Sequence, residues 1–456
     1  MCAIFTMKNL FQSKSYAHLD KHKHPECVEE LIKDQQWVAS HGFLPLIHVQ
    51  MKLKKRNGCQ KPFSFKIRHI FYSSHTDSYI YQWYAHILSA SYEKYVKNLS
   101  FYNVPTAYRS LNGKCNIDFA KEAFDFVKKQ EDAFIFVTDF HSFFDSLDHK
   151  ILKQNLMKVL EMPKGLEPDW YAIYKSLVKA TYFDLDEIAK IKNTERKLLR
   201  KKESCPSILL NQREMRKLKH QYLHNYYEII DENSSHPDKT KIGIPQGTSL
   251  SALFANTYMI DFDKTISDYV NTVNGFYRRY SDDIFIVVPF SEKEKLCTLF
   301  ETERQKINIE ISTNKTRRFH IKDGKIVDII KCPGESTDSR LIIEYLGFSY
   351  DGNHVLIKDG SLNKFYKKLN NRLYLLKRLK KEKGKYLGLK RFYRLYSHLG
   401  EAARIHHNKT VGLFNKDFRH SNFITYVNKS ASIMKEPKIK HQLKKHWKHI
   451  SEGLKK

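Results

Sequence analysis

Two adjacent carboxylates stand between apolar runs in Tyr280-Ser281-Asp282-Asp283. Gly275-Phe276-Tyr277-Arg278-Arg279 precedes them and Ile284-Phe285-Ile286-Val287-Val288 follows, so two strand-like segments meet at a short turn, as in a β-hairpin. Like charges this close repel unless a cation lies between them, and hard oxygen donors of this kind suit Mg2+. A solvated surface turn would use the same residues, since Asp is a common turn former. A second acid shifts the balance. Phe134-Ile135-Phe136-Val137 reads as a buried strand ending at Asp139, and Ser146-Leu147-Asp148-His149 reads as a capped helix start. An acid at the end of a buried strand is poorly explained by packing, because an unpaired buried charge is expensive. Asp139, Asp282 and Asp283 could together hold two divalent ions. Such a pair, about 3.5–4 Å apart, activates an attacking oxygen and stabilises a leaving one.

A third segment, Lys241-Ile242-Gly243-Ile244-Pro245-Gln246-Gly247-Thr248-Ser249, opens a helical stretch that runs to Met259. Its glycines let the backbone approach a ligand closely. Its hydroxyls could cap the helix or meet a sugar–phosphate. An ordinary capped turn reads the same way.

These three segments, in this order, resemble the palm of reverse transcriptases. Asp139 and Phe144 match the spacing of the first palm motif, residues 243–247 are similar to the second, and Tyr280-Ser281-Asp282-Asp283 is similar to the third. Ile309-Glu310-Ile311-Ser312-Thr313-Asn314-Lys315-Thr316 resembles a compressed fourth motif, and Glu344-Tyr345-Leu346-Gly347-Phe348 resembles the primer grip. Ala107-Tyr108-Arg109 with Gly113-Lys114 is similar to the fingers segment that holds the incoming triphosphate. The stretch from Tyr72 to Glu93 resembles the bacterial antiphage-defence lineages, the abortive-infection and unknown-group enzymes related to retron reverse transcriptases.

The resemblance implies an α+β right-hand polymerase, with fingers, an antiparallel palm sheet and a helical thumb. It implies an N-terminal extension at 1–60, fingers at 61–130, a palm at 131–350 and a basic helical thumb and tail at 361–456. The 106 positions between Asp139 and Pro245 point to a Lys- and Glu-rich helical insertion at about 185–238. The implied reaction is addition of dNTPs to a primer by two Mg2+ ions, with Mn2+ a possible substitute. Asp139, Asp282 and Asp283 would bind metal, joined by the Phe140 carbonyl. Lys315 would neutralise or protonate the leaving pyrophosphate. Arg109 and Lys114 would hold the triphosphate, Phe144 would exclude a 2′-hydroxyl, and Gln246 would meet the nascent pair. Pro245, Gly247, Tyr280, Tyr345, Leu346 and Gly347 would contact template or primer. The implied partners are an RNA template, with a dedicated non-coding RNA expected, the DNA product, and a second protein subunit or further copies of the chain. Template-independent or protein-primed synthesis is the alternative within the enzyme class, and a non-catalytic RNA-binding subunit is the alternative outside it.

Bulk composition agrees with a polyanion partner. The 456 residues suffice for a catalytic core with subdomains. The net charge is +29, of which residues 361–456, with 26 Lys or Arg and 5 Asp or Glu, carry +21. Cationic surfaces gain affinity by releasing counterions from phosphates. Phe365, Tyr366, Tyr374, Phe392 and Tyr396 are interleaved there, some for stacking on bases and more for a core. Lys66 and Arg68 are further candidate phosphate ligands, and Asp77 or Ser78 a candidate helix cap. Lys21-His22-Lys23-His24 lacks a Cys or acid at ligand spacing and reads as a solvated basic stretch rather than a metal site. The seven cysteines show no Cys-x-x-Cys spacing, which argues against structural zinc and fits a reducing cytoplasm. No apolar run reaches the length of a signal peptide core or a membrane span.

Overall fold

A computed structural model describes residues 11–12, 14, 16–55, 64–111, 113–194, 208–230, 236, 238–330, 340–400 and 422–455. The N-terminal ten residues, the middle of the expected 185–238 insertion and residues 401–421 of the expected thumb lie outside them. In chain order come α1 (Glu29–Lys33), α2 (Gln35–Ser40), β1 (Leu46–Lys55), β2 (Ser64–Tyr72), α3 (His75–Val96), α4 (Asn116–Val127) and β3 (Asp132–Asp139). Then follow α5 (His149–Val159), α6 (Pro168–Val178), β4 (Thr181–Asp184), α7 (Leu185–Ile191), α8 (Gln212–Tyr222), β5 (Leu223–Asn225), α9 (Ser251–Tyr258) and α10 (Ile260–Thr272). The hairpin of β6 (Phe276–Tyr280) and β7 (Asp283–Pro289) leads to α11 (Lys293–Lys306), β8 (Arg317–Lys322) and β9 (Lys325–Ile330). Three short strands, β10 (Ile343–Tyr345), β11 (Phe348–Tyr350) and β12 (Val355–Ile357), precede α12 (Asp359–Lys383), α13 (Leu389–Tyr396), α14 (Phe423–Met434), α15 (Lys438–His441) and α16 (His446–Lys455). The expected α+β class is what the chain adopts.

The chain divides into two units, one of residues 1–109, 139–272 and 294–312, the other of 110–138, 273–293 and 313–456. In the first, a sheet has the order β2-β1-β4-β5. Its β1–β2 and β4–β5 pairs are antiparallel and its β1–β4 pair is parallel. The helix α3 starts at Ser74, whose side chain accepts the Asp77 N–H at 3.1 Å. That corrects the expected cap at Asp77 or Ser78. Asp77 instead turns inward, accepting from the Leu44 N–H and bonding His41. Ile80, Tyr84 and Leu88, at helical spacing, are buried. The expected insertion is partly woven into this unit. Leu185 and Ile188 of α7 pack with Ile47 and Val49 of β1, β5 extends the sheet, and α8 buries no residue.

In the second unit the five-stranded sheet has the order β6-β7-β3-β8-β9, and β3 pairs antiparallel with β8. The run Ala133-Phe134-Ile135-Phe136 is buried throughout, as a central strand covered on both faces requires. Ile135, Phe285, Val287 and Phe319 of this sheet share one core with Ile117, Ala120 and Phe124 of α4, with the β10–β12 sheet and with Val427 of α14. Farther along, Phe365, Leu369, Leu373 and Leu376 give α12 one apolar face, which meets Phe392 and Ile450. Its other face is largely Lys and Arg in solvent, and Tyr374 stands exposed among them. No described helix is long and apolar enough to cross a membrane.

Candidate active site

The acid turn is tightly built. Arg279 pairs with Ile284 and Tyr280 with Asp283, leaving only Ser281 and Asp282 in the loop. Ser281 alone of the two has positive φ, at 60°. A positive φ at the first loop position is the pattern of a type II′ turn, whose twist suits a hairpin. Arg279 is fully buried, and its Nη1 donates to the Ser281 carbonyl at 2.9 Å. A buried guanidinium is thus bonded to the backbone of the turn that carries the acids. The strand signal named the flank but gave Arg279 no role; two arginines in a strand-like segment were the available clue.

In the sheet β3 lies beside β7. Asp139 is the last residue of β3 and Asp283 the first of β7. Around Asp139 the backbone is pinned. Its carbonyl accepts the Ser312 N–H at 2.7 Å and its Oδ1 accepts the Ser312 hydroxyl at 3.2 Å. His141 N–H reaches the Glu310 carbonyl at 2.7 Å. Neither bond uses the Phe140 carbonyl, while the Phe140 ring is buried against Phe143 and Phe262. Among the described residues, no group of three or more His, Cys, Asp or Glu side chains is gathered as a ready metal site.

Residues 243–247 are anchored from several sides within the first unit. Gly243 N–H donates to the Leu147 carbonyl and Ile244 N–H to the Phe144 carbonyl, tying this loop to the turn that carries Phe144. Phe144 itself is half-buried against Phe143. The Tyr226 hydroxyl lies 2.5 Å from Asp145 Oδ1 and 2.8 Å from the Ile244 carbonyl. Burial raises the Asp145 pKa above the usual carboxylate range. The Tyr226 hydroxyl donates to Asp145, a bond that acts against the burial. Gly247 has a φ of 132°, and a Cβ there would lie 2.0 Å from the Phe71 carbonyl oxygen. Phe71 N–H in turn donates to the Gln246 carbonyl at 2.9 Å, so the loop docks on the end of β2 with the Gln246 side chain exposed. Ser251 closes the turn, its hydroxyl donating to the Pro245 carbonyl at 2.6 Å.

The Tyr345-Leu346-Gly347-Phe348 segment is a second tight hairpin. Tyr345 pairs with Phe348, and both loop residues have positive φ, 47° at Leu346 and 90° at Gly347, the type I′ pattern. Asn116 Nδ2 donates to the Leu346 carbonyl and to the Tyr426 hydroxyl, each at 3.2 Å. Tyr345 is buried, and its hydroxyl pKa is pushed up by burial first and by the Asp283 charge second.

Residues 206–390 match the family model described as Reverse transcriptase (RNA-dependent DNA polymerase). The matched segment, 206–390, is similar to a reverse transcriptase domain. That family is one of nucleotidyltransferases. The match takes in residues 243–247, the acid turn, Lys315 and the Tyr345 hairpin, and it begins after Asp139. No curated protein matches the chain. Among solved structures, a truncated apo telomerase from Candida tropicalis is similar at 12% identity and a TM-score of 0.41, over 74% of this chain and 61% of that one. Telomerase from Candida albicans in complex with a TWJ fragment of telomeric RNA is similar at 13% identity and 0.40, over 90% and 62%. The chain thus spans about three-fifths of the length of these structures. Likenesses this distant bear on neither activity nor substrate.

The cations expected at the site differ in their surroundings. Lys315 lies exposed in the turn before β8. Lys66 and Arg68 are exposed on β2. Lys114 pairs with Glu122 at 2.5 Å, and Glu122 also takes Arg278 at 3.4 Å. Arg109 departs from its expected role. Its guanidinium grips Glu93 through two bonds of 2.7 Å and donates to the carbonyls of Tyr102 and Pro105. It also lies over the Tyr102 ring, with its side chain only 1% exposed. With four of five N–H donors committed, Arg109 braces its loop and is not presented to a triphosphate.

Proposed function

We propose that the chain is an RNA-directed DNA polymerase that extends a primer hydroxyl with deoxynucleoside triphosphates, with Asp139, Asp282 and Asp283 as its metal ligands. The observation that carries this reading is the two-residue turn between β6 and β7, held by the buried Arg279, at which Asp282 and Asp283 stand. Carboxylates are hard oxygen donors of the type Mg2+ takes, and Mn2+ would substitute. When bound, the ions neutralise the charge that builds on the phosphoryl group.

The protein's own groups supply position. The Ser312 bonds hold Asp139, and Arg279 holds the acid turn, so the carboxylates need little reorganisation to bind a cation. Phe144 closes the space a 2′-hydroxyl would need, and Pro245, Gln246 and Gly247 support the nascent pair. The Phe140 carbonyl is an additional oxygen ligand. Lys114 meets the triphosphate, Lys315 neutralises the departing pyrophosphate, and Tyr280 with the Tyr345-Leu346-Gly347 hairpin steadies the primer end. The basic face of α12 tracks a nucleic-acid backbone. On the resemblance of the Tyr72 to Glu93 stretch, the template is a dedicated non-coding RNA and the setting is antiphage defence in a bacterial cytoplasm.

Incorporation of labelled dNTPs on a primed RNA template tests the reading. The unaltered chain extends the primer in Mg2+ and prefers dNTPs to rNTPs. Asp139→Asn and Asp282→Asn each bring extension to background while melting as the parent does. Undiminished extension by either variant would remove the metal assignment.

A further inference from the structure

Tyr226 stands where several segments of the first unit meet. It follows β5 inside the 185–238 stretch, and main-chain bonds set its place. Asn225 pairs with Thr181 of β4, and the Tyr226 N–H donates to the Ala180 carbonyl at 2.9 Å. Its ring is buried, 5.3 Å from that of Phe71 in β2. Its hydroxyl reaches Asp145 Oδ1 at 2.5 Å and the Ile244 carbonyl at 2.8 Å. Burial first and the Asp145 charge second push the pKa of that hydroxyl up, so at pH 7 it keeps its proton and donates.

These contacts close a ring of bonds at Phe144. The Phe144 carbonyl accepts the Ile244 N–H at 2.9 Å, while the Ile244 carbonyl and the next side chain, Asp145, both meet the Tyr226 hydroxyl. The space between them is full. A Cβ on Gly243 would lie 3.0 Å from the Asp145 carbonyl oxygen, from Ile230 Cδ1 and from Tyr226 Cε1. On its other side the Tyr226 ring packs on Phe71, whose N–H donates to the Gln246 carbonyl at 2.9 Å. One hydroxyl therefore ties the turn carrying Phe144 to the 243–247 loop, and one ring ties both to β2. Taking the hydroxyl away strands two acceptors, which favours parting of the turn and the loop so that water can reach them.

We propose that Tyr226 is a positioning residue for sugar selection, holding the Phe144 turn, the 243–247 loop and β2 in one register so that the Phe144 ring stands close against the incoming sugar. The inference rests on the polymerase reading through the role of Phe144. Tyr226 acts only through its neighbours and touches neither nucleotide nor metal. A gate that works by contact depends on fractions of an ångström, because a gap of that size already forfeits much of a van der Waals contact and frees room for an added oxygen. The segment that supplies Tyr226 thus belongs to the working parts of the site, although it lies between the first two motifs in the chain.

Two measurements on the full chain separate this role from simple stabilisation. Hydrogen exchange read by mass spectrometry follows residues 143–147 and 243–247 and needs no activity. Competing incorporation of dNTP and rNTP gives the sugar preference. Partial unfolding lowers both incorporations equally and leaves their ratio alone. Tyr226→Phe keeps the ring, and should speed exchange in both segments and lower the dNTP preference at least about tenfold. Asp145→Leu removes the acceptor instead and should do the same, whereas Asp145→Asn keeps an accepting oxygen and should lie nearer the unaltered chain. Tyr227→Phe, at the exposed neighbour, should change neither reading. If Tyr226→Phe does not fold, the two Asp145 variants carry the comparison. An unaltered chain that extends no primer would remove the polymerase reading, while exchange still decides whether Tyr226 holds the two segments. The proposal is overturned if exchange there is unchanged, or if the segments loosen with the dNTP preference intact.

Discussion

Arg279 Nη1 donates to the carbonyl of Ser281, the residue just before the acid pair, at 2.9 Å. The arginine is wholly buried in a strand whose neighbours are apolar. A buried cation is retained only where it is paired or hydrogen-bonded, and here its bond fixes the conformation of the turn that presents Asp282. Arg279→Lys keeps the charge but loses the planar fork. We expect it to cost about 1.5–3 kcal/mol of stability and to lower primer extension at least tenfold, about 1.4 kcal/mol of barrier. Urea melts together with single-turnover extension check both, and extension at the parental rate would show that the bond has no bearing on the acids.

Arg109 and Glu93 form a two-bond pair with little solvent access on the arginine side. A residue spent on such a bond stabilises a loop rather than binding a triphosphate. Arg109→Lys is therefore expected to lower the melting temperature by a few degrees, at about 2–4 °C per kcal/mol for domains of 150–250 residues. The KM for dNTP should be unchanged. A raised KM with an unchanged melt would return Arg109 to the triphosphate.

Gly247 is required by both conformation and space. A side chain there is strained at φ 132° and collides with the Phe71 carbonyl. The strain alone is of order 1–3 kcal/mol, and relief of the clash moves the loop off β2. Gly247→Ala should destabilise the chain by at least that amount and impair extension, whereas Gly324→Ala, strained at a φ of 70° but with open space around its Cβ, should lose less stability and extend normally. Thermal melts and extension assays of the two variants give the comparison.

Phe144 is half-buried and held through its carbonyl by Ile244. Truncating its ring should leave the backbone bond in place. Phe144→Ala is expected to reduce the preference for dNTP over rNTP by at least about tenfold, or ~1.4 kcal/mol, read from competing incorporation of the two. An unchanged preference would take the sugar gate away from this residue.

His18, His69, His75 and His149 of the first unit resist protonation in the folded state. Burial pushes His18 down to about 4, lowers His75, and with the His48 charge lowers His69. Unfolded histidine titrates near pH 6.5. As pH falls through that value the unfolded chain takes up protons that the folded chain refuses, so stability is full above about pH 7 and is lost from there toward pH 4. Each histidine contributes at most about 1.4 kcal/mol per pH unit. Urea melts at pH 7, 6 and 5 should show this fall, and His18→Asn should flatten it; a pH-independent midpoint would refute it.

Much of the candidate site was legible because strands and tight turns leave local marks. The apolar run before Asp139, the paired runs around Ser281 and the Tyr345-to-Phe348 hairpin each follow from neighbours a few residues apart, whose side-chain alternation and turn chemistry act locally. The helix cap failed at that level, since Ser74 and Asp77 are both capping types and only the contacts of Asp77 with His41 and Leu44 chose between them. Residues 185–238 read as a loose insertion because the pairing of β5 with β4 spans residues far apart in the chain.

The sequence by itself determined the order of the motifs, the basic character of the last hundred residues and the positions of the acids. Tertiary structure alone decided that β3 lies beside β7, that Arg109 is consumed by Glu93, that Arg279 backs the acid turn, and that Gly247 faces Phe71. The reason is physical. Turn and strand preferences act over a few residues, whereas the partner of a buried charge, or the oxygen that a missing Cβ would strike, is set by which distant segment the collapsed core brings alongside.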